Sequence, residues 1–216
     1  MQGSGDYCAV TDETITAYTR HAEAYRDGHH HLPDHVRSEL EEFVSAVSTG
    51  GRVLEIGSGS GRDAAYLEQR GLVVRRTDVT PAFVDLLRKD GYAADVVDPL
   101  HDDLKEPARA DELYAAIWAS ACLLHVQRAD LATVLTRLRG ATRLGGLLFF
   151  SVKEGEGEAW STRGPVAAPR LFIYWQAADL QAVVGQAGWT VLQVKRAQGP
   201  GDERWLEVWA RSDPSA

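Results

Sequence analysis

Apolar positions along this chain follow two rhythms, and the exchange between them defines the elements. Residues 11–26 read as a helix with Thr11 or Asp12 as its cap, placing Tyr18, Ala22 and Tyr25 near one face. After a loop holding His29, His30 and His31, Pro33 suits a first helical position. Behind it Val36, Leu40, Phe43, Val44 and Val47 recur at helical spacing, up to a stop at Gly50-Gly51. From 52 onward short β-branched runs take turns with amphipathic stretches. Strand one is expected at 52–56, a helix at 62–70 and strand two at 72–77, ended by Asp78. Thr80-Pro81 opens a helix carrying Phe83, Val84 and Leu87, which stops at Gly91. A weak third strand is expected at 93–97 and a fourth at 115–120. A helix on Leu131, Val134, Leu135 and Leu138 follows, and then a fifth strand at 147–152, introduced by Gly145-Gly146.

Strands that alternate with helices imply parallel pairing through right-handed crossovers. The tail changes character. Residues 153–169 are rich in Gly, Glu and Pro and read as a loop, and 176–187 as a helix stopped by Gly188. Residues 191–195 and 205–210 read as two strands joined by a Gly-Pro-Gly turn, which adds an antiparallel hairpin to the sheet. Residues 1–10 look like a flexible start. The two leading helices, within residues 1–50, can fold over the end of the first strand as a lid of the same single domain. Residues 51–216 form its body.

Composition narrows the function. A 216-residue chain with a net charge of −8 can bury a substantial core, and it is poorly suited to neutralising the phosphates of duplex nucleic acid. No basic and apolar leader opens the chain, and no uncharged stretch approaches the roughly 20 residues a membrane helix needs. The two cysteines, Cys8 and Cys122, form neither a metal spacing nor a disulfide framework, which suits a reducing compartment. A cytoplasmic protein, monomer or homodimer, is expected. His29, His30, His31 and His35 cannot converge on one ion, because adjacent loop histidines diverge and Pro33 interrupts the pair 31/35. No metal site is expected.

The candidate chemistry centres on 53–61, Val-Leu-Glu-Ile-Gly-Ser-Gly-Ser-Gly. A strand that ends in alternate glycines and turns into a helix presents free backbone N–H groups, with no Cβ between them and a ligand. Arg62 stands where a dinucleotide fingerprint has its third glycine, and no Gly-Lys-Ser/Thr follows for a phosphate loop. Asp78, seventeen residues after Gly61, ends strand two, where a carboxylate can accept both hydroxyls of a ribose; its alternative is a turn cap before Thr-Pro.

The pattern Glu55-x-Gly57-x-Gly59-x-Gly61 resembles motif I of the class I S-adenosylmethionine-dependent methyltransferases, small bacterial type. The likeness runs from about residue 15 to 211. It includes Trp118-Ala-Ser-Ala-Cys-Leu-Leu-His125-Val, Ser151-Val-Lys-Glu-Gly-Glu-Gly-Glu158, Phe172-Ile-Tyr-Trp175 and Trp205-Leu-Glu-Val-Trp-Ala-Arg211. It implies a Rossmann-like, seven-stranded, mostly parallel α/β sheet of order 3-2-1-4-5-7-6, with strand 7 antiparallel and helices on both faces. It also implies a cofactor site built from Tyr18, Glu55, Gly57, Ser58, Gly59, Gly61, Asp78, Val79, Asp98, Leu100, Ala119 and Ser120. Glu55 would orient the ligand's amino group or the loop, and Ser58 stands where many relatives carry Cys. Asp98, in a run of four carboxylates over 95–103, would accept from the adenine N6 amine while Leu100 packs on the ring.

The resemblance implies methyl transfer by in-line displacement to an oxygen, nitrogen or carboxylate of a small molecule, with S-adenosylmethionine as the methyl donor. Where the acceptor needs a base, His125, Tyr18 or Tyr25 is the candidate; His125 can equally be a packed histidine that shapes the loop. Tyr25, His125, Lys153, Glu156, Tyr174 and Trp175 are candidates for the acceptor pocket. The alternatives are a tRNA or peptide acceptor, a nicotinamide oxidoreductase on a similar sheet, and a cofactor-binding regulator without turnover.

Overall fold

The computed structural model describes residues 10–109, 111–199 and 201–213. Cys8, most of the expected flexible start and Pro200 of the Gly-Pro-Gly turn lie outside the described residues. Two helices lead the chain, α1 (Asp12–Gly28) and α2 (Asp34–Ala46). The alternating region then runs β1 (Arg52–Ile56), α3 (Arg62–Gln69), β2 (Val73–Asp78), α4 (Pro81–Lys89), β3 (Ala94–Val96), β4 (Tyr114–Ala119), α5 (Leu131–Gly140) and β5 (Thr142–Lys153). The tail holds β6 (Glu158–Ser161), β7 (Arg170–Ile173), α6 (Ala177–Gln186), β8 (Thr190–Gln198) and β9 (Arg204–Arg211).

Seven strands form one sheet of order β3-β2-β1-β4-β5-β9-β8. Strands β1 to β5 pair parallel, while β9 is antiparallel to both β5 and β8. This is the order and polarity that the family resemblance implies, once β6 and β7 are set apart as a separate two-stranded hairpin. That hairpin corrects the reading of 153–169 as loop: Glu158 pairs with Ile173 and Ser161 with Arg170. Short, exposed and flanked by glycines, β6 shows no apolar alternation from which to read it.

Two further boundaries differ. Pro33 is the N-cap of α2 rather than its first helical residue, with extended φ and ψ of −63° and 149°. The fifth strand begins at Thr142, so Gly145-Gly146 lies inside it, where the register against β4 shifts. Gly145 N–H and Gly146 C=O bond Ser212, which carries the ladder past the irregularity.

The sheet buries both faces. Leu54, Ile117, Leu148 and Val208 enter a core shared with α5 and α6, while Val53, Trp118, Phe149 and Trp209 point to the opposite side against α2 and α3. There the Trp118 and Phe149 rings stack at 4.2 Å, with Phe43 edge-on to Trp118 at 5.0 Å. Burying each such side chain contributes about 1.5–3 kcal/mol, so the central strands are the most firmly held part of the molecule. Arg76, from β2, meets Glu68 of α3 through two contacts of 2.7 Å and so fixes the helix that begins at Gly61. Across the carboxyl ends of β1 and β2 lies α1, capped by Thr11 and packed on α4 and β7. Its Tyr18, Ala22 and Tyr25 meet Phe83 of α4.

Candidate active site

Three glycines shape the turn from β1 into α3, each in the left-handed region: Gly57 at φ 72°, Gly59 at 51° and Gly61 at 76°. A Cβ on Gly57 would come within 2.4 Å of Cys122 Cβ, and one on Gly61 within 2.4 Å of Leu87 Cδ2. Only Gly59 has room, its nearest neighbour being Tyr25 Cε1 at 3.5 Å. The turn is pinned from both sides. Ser58 N–H donates to Thr77 C=O at 2.9 Å, and the Ser58 hydroxyl donates to Glu55 Oε2.

Asp78 joins this turn to the end of β2. Its Oδ2 accepts from Gly59 N–H at 2.9 Å and its Oδ1 from Thr80 N–H at 2.8 Å. The side chain is only 5% exposed, and burial raises its pKa against the pull of those two amides. Each oxygen keeps a second lone pair, so the carboxylate can hold the loop and accept ligand hydroxyls at once. Glu55 is pushed up to about 8, first by burial and then by Asp63.

Three hollows open around this turn. A polar one of about 70 Å³ is lined by Glu55, Gly59, Asp63, Trp118 and Ser120. Asp63 was not singled out from the sequence; its Oδ2 accepts from Trp118 Nε1 at 3.1 Å, and Arg62 pairs with its Oδ1. An acidic residue in the first turn of a helix that begins in a glycine loop was the available signal. An apolar hollow of about 60 Å³ is lined by Ile15, Val79, Val97, Pro99, Leu123 and Val126.

At the end of β3, Asp98 accepts from Leu100 N–H at 3.0 Å and contacts His101 Nδ1 at 2.8 Å. Leu100 is half-buried against the main core. Between these hollows Ala119 is buried and Ser120 is half-exposed. The next residue, Ala121, has φ 51°, the left-handed value that costs a non-glycine residue most, and Ser151 Oγ accepts from its N–H at 2.9 Å. Cys122, behind Gly57, donates its thiol to Ile56 C=O at 3.0 Å; burial raises its pKa and keeps it unreactive.

The third hollow, about 630 Å³, spreads from Ser120 to β9. Tyr25, His125 and Lys153, expected at the acceptor pocket, line it together with Tyr18, expected at the cofactor or as a base. His125 Nδ1 lies 2.6 Å from Leu171 C=O and Nε2 2.9 Å from Tyr18 Oη. A carbonyl only accepts, so Nδ1 carries the proton and Nε2 accepts from the Tyr18 hydroxyl. Burial lowers His125 to about 4, leaving it neutral at neutral pH, and burial raises both tyrosines. Lys153 Nζ pairs with Glu203 at 2.6 Å above the Phe172 ring.

Glu156, Tyr174 and Trp175 stand apart from this hollow. Glu156 is exposed in the turn leading to β6, and Tyr174 faces a separate shallow cleft with Glu154 and Arg204. Trp175 is 2% exposed in the core under the Arg128 guanidinium. Residues 172–175 are aromatic and apolar throughout, so their sequence does not say which side faces a cavity. Among the described residues, no group of three or more His, Cys, Asp and Glu is arranged to hold a metal. No helix among them is long and apolar enough to cross a membrane.

A family model described as a methyltransferase domain matches residues 29–194. No curated protein matches the chain in sequence. Of the solved structures, the CcbJ methyltransferase from Streptomyces caelestis is 18% identical, with a TM-score of 0.72 over 94% of this chain and 100% of that one. A 1,6-didemethyltoxoflavin-N1-methyltransferase from Burkholderia thailandensis, holding 1,6-didemethyltoxoflavin and S-adenosylhomocysteine, is 20% identical, with a TM-score of 0.63 over 93% and 88%. The glycopeptide N-methyltransferase MtfA, complexed with S-adenosylhomocysteine, is 18% identical, with a TM-score of 0.60 over 81% and 88%. At these identities the likeness is one of fold.

Proposed function

We propose that this chain, which belongs to the methyltransferase domain family, uses S-adenosylmethionine to methylate a small molecule on oxygen, nitrogen or carboxylate. The observation that supports this reading most is the cavity of about 630 Å³, whose wall begins at Ser120 and Ala121, directly beside the glycine turn. A volume of that order suits a small ligand, roughly 300–1,000 Å³ being usual for such sites. In our reading Gly57, Ser58, Gly59, Gly61 and Asp78 hold the donor's adenosyl half, with Val79 and Leu100 against its base and Asp98 near its amine. Glu55, Ala119, Ser120 and Tyr18 flank its methionine half. Bound there, the donor supplies a methyl group on a sulfonium whose sulfur is a good leaving group.

The protein's part is then positioning. Holding the acceptor in line supplies about 7–11 kcal/mol of the barrier reduction. Helices α1 and α2, acting as a lid, exclude water through Tyr18, Tyr25 and Val36, which line the cavity from above. An acceptor proton can pass to Tyr18 Oη as Tyr18 gives its own to His125 Nε2, the lone pair that already accepts its hydrogen bond and that Leu171 keeps facing inward. A carboxylate acceptor needs no such route. The net charge of −8 argues for a metabolite over an RNA acceptor, and the cytoplasm suits the free thiol.

The test has two parts. Isothermal titration with S-adenosylhomocysteine is expected to show one site per chain. Labelled-methyl assays on a metabolite extract and on total RNA are expected to give product from the first alone. Labelled RNA with an unlabelled metabolite fraction would refute the small-molecule acceptor.

A further inference from the structure

We propose that Glu39 and Glu207, facing each other in the wall of the acceptor cavity, form a recognition site for a cation, so that the acceptor carries an amine that is charged at neutral pH. This deepens the reading of the cavity as the acceptor pocket and rests on it.

Glu207 lies on β9, paired with Ser151 of β5 on one side and Lys195 of β8 on the other. Strand alternation sends Leu206 and Val208 into the core, each 0% exposed, and turns Trp205 and Glu207 toward the cavity. Glu39 lines the same wall from α2, one turn before Phe43, whose ring lies 6.3 Å from that of Trp209, two residues beyond Glu207. Two carboxyls brought together in this way are eased by sharing a proton. Burial first, and Glu207 second, raise the Glu39 carboxyl far above the ordinary carboxylate range; Asp63 adds to the rise and Lys195 opposes it.

A merely structural pair would be expected to bring a lysine or arginine with it. The lysines nearby are otherwise engaged, Lys153 with Glu203 at 2.6 Å and Lys195 with Glu42 at 2.5 Å. Arg170 donates to the carbonyls of Ala168, Arg163 and Val166. Among the described residues no hydrogen bond or ion pair joins Glu39 or Glu207 to a cation. Glu207, only 7% exposed and lining the cavity, is therefore a buried acid without a direct ion pair, its cross-strand neighbour Lys195 being drawn to Glu42. An ammonium group entering the cavity replaces the shared proton and meets both oxygens, with Trp205 and Phe172 lining the approach as aromatic faces. A neutral alcohol gains nothing from that exchange, and a carboxylate is repelled.

The experiment uses the full chain saturated with S-adenosylhomocysteine and three probes of matched shape: 2-phenylethylamine, 2-phenylethanol and phenylacetate. Their binding is followed by ligand-observed NMR and titration calorimetry. The amine is expected to bind at least about tenfold more tightly than the alcohol, and phenylacetate more weakly than either. Glu39→Gln and Glu207→Gln, which keep shape and hydrogen bonding, are each expected to cut that ratio to below about threefold, with S-adenosylhomocysteine affinity and melting temperature little changed. An amine that fails to bind, or binds no better than the alcohol, overturns the proposal. So does a preference that survives both substitutions. Failure of S-adenosylhomocysteine itself to bind is a different result, which removes the underlying reading of the site.

Discussion

The hydroxyl of Tyr18 lies 2.9 Å from Nε2 of His125, across 107 residues of sequence, and ties the N-terminal helix to the turn after β4. Because Leu171 C=O holds the proton on Nδ1, this contact has one polarity, with Tyr18 donating. Tyr18→Phe therefore removes a donor without changing the tautomer. The expected loss of stability is about 1 kcal/mol, read from urea midpoints, since His125 Nε2 is left buried without its partner. Nitrogen chemical shifts of His125 are expected to report the Nδ1–H form in both proteins. A variant that switched tautomer would show that Tyr18, and not Leu171, sets it.

The glycine turn makes a sharper prediction, because the positions differ in space while sharing a backbone region. Gly50, at φ 78°, has nothing within 4 Å of a built Cβ, whereas Gly61, at φ 76°, has Leu87 Cδ2 at 2.4 Å. Gly50→Ala is expected to cost about 1–2 kcal/mol from the left-handed conformation alone. Gly61→Ala adds a clash worth about 1–3 kcal/mol more, and should weaken S-adenosylhomocysteine binding, because relief requires the buried Leu87 side chain or the turn itself to shift. Equal unfolding midpoints for the two variants would contradict the packing described here.

Much of this architecture could be read from the chain, and what escaped has identifiable causes. The turn at 57–61 and the acid at 78 announce themselves because glycine freedom and a strand-end carboxylate are local properties. The parallel pairing followed from strands alternating with helices, the antiparallel tail from a Gly-Pro-Gly turn between two short strands, and the sheet order from the family resemblance. The β6–β7 hairpin escaped because Glu158, Ala159, Trp160 and Ser161 are exposed or half-exposed and carry no core-facing period. Trp175 was misplaced for the opposite reason, since every residue around it is apolar enough to be core. Asp63, Glu39 and Glu207 gain their meaning only when α2, α3 and β9 converge, a long-range pairing that no window of sequence contains.

Asp78 combines two tasks that a substitution can separate. Its oxygens already accept from Gly59 and Thr80 amides, so Asp78→Asn must turn an NH₂ group toward one of them. Loss of one buried acceptor bond costs about 1–3 kcal/mol in stability. Affinity for S-adenosylhomocysteine is expected to fall by at least about tenfold, or 1.4 kcal/mol, by calorimetry, because the ribose hydroxyls lose a charged acceptor. A variant destabilised to that degree but binding normally would confine Asp78 to shaping the loop.

His125 gives the acid limb of stability a sign that can be worked out in advance. Its pKa in the folded protein is about 4, against about 6.5 for an unfolded chain, so between those values the unfolded state binds the extra proton. Stability contributed by His125 is thus complete above the unfolded value and is lost as pH falls toward 4, with a ceiling on the order of 3 kcal/mol. Glu55 and Glu39 are shifted upward and act in the other direction, gaining stability as pH falls from neutrality, and the raised Asp78 acts in the same sense. The net slope of the wild-type curve therefore mixes the two, and a difference between proteins isolates the histidine. His125→Asn, measured by urea unfolding at about pH 5 and about pH 7, is expected to be less destabilised by acid than the wild type by about 1–2 kcal/mol. Parallel curves for the two proteins would mean that His125 titrates normally, and that the buried, Leu171-held imidazole described here is wrong.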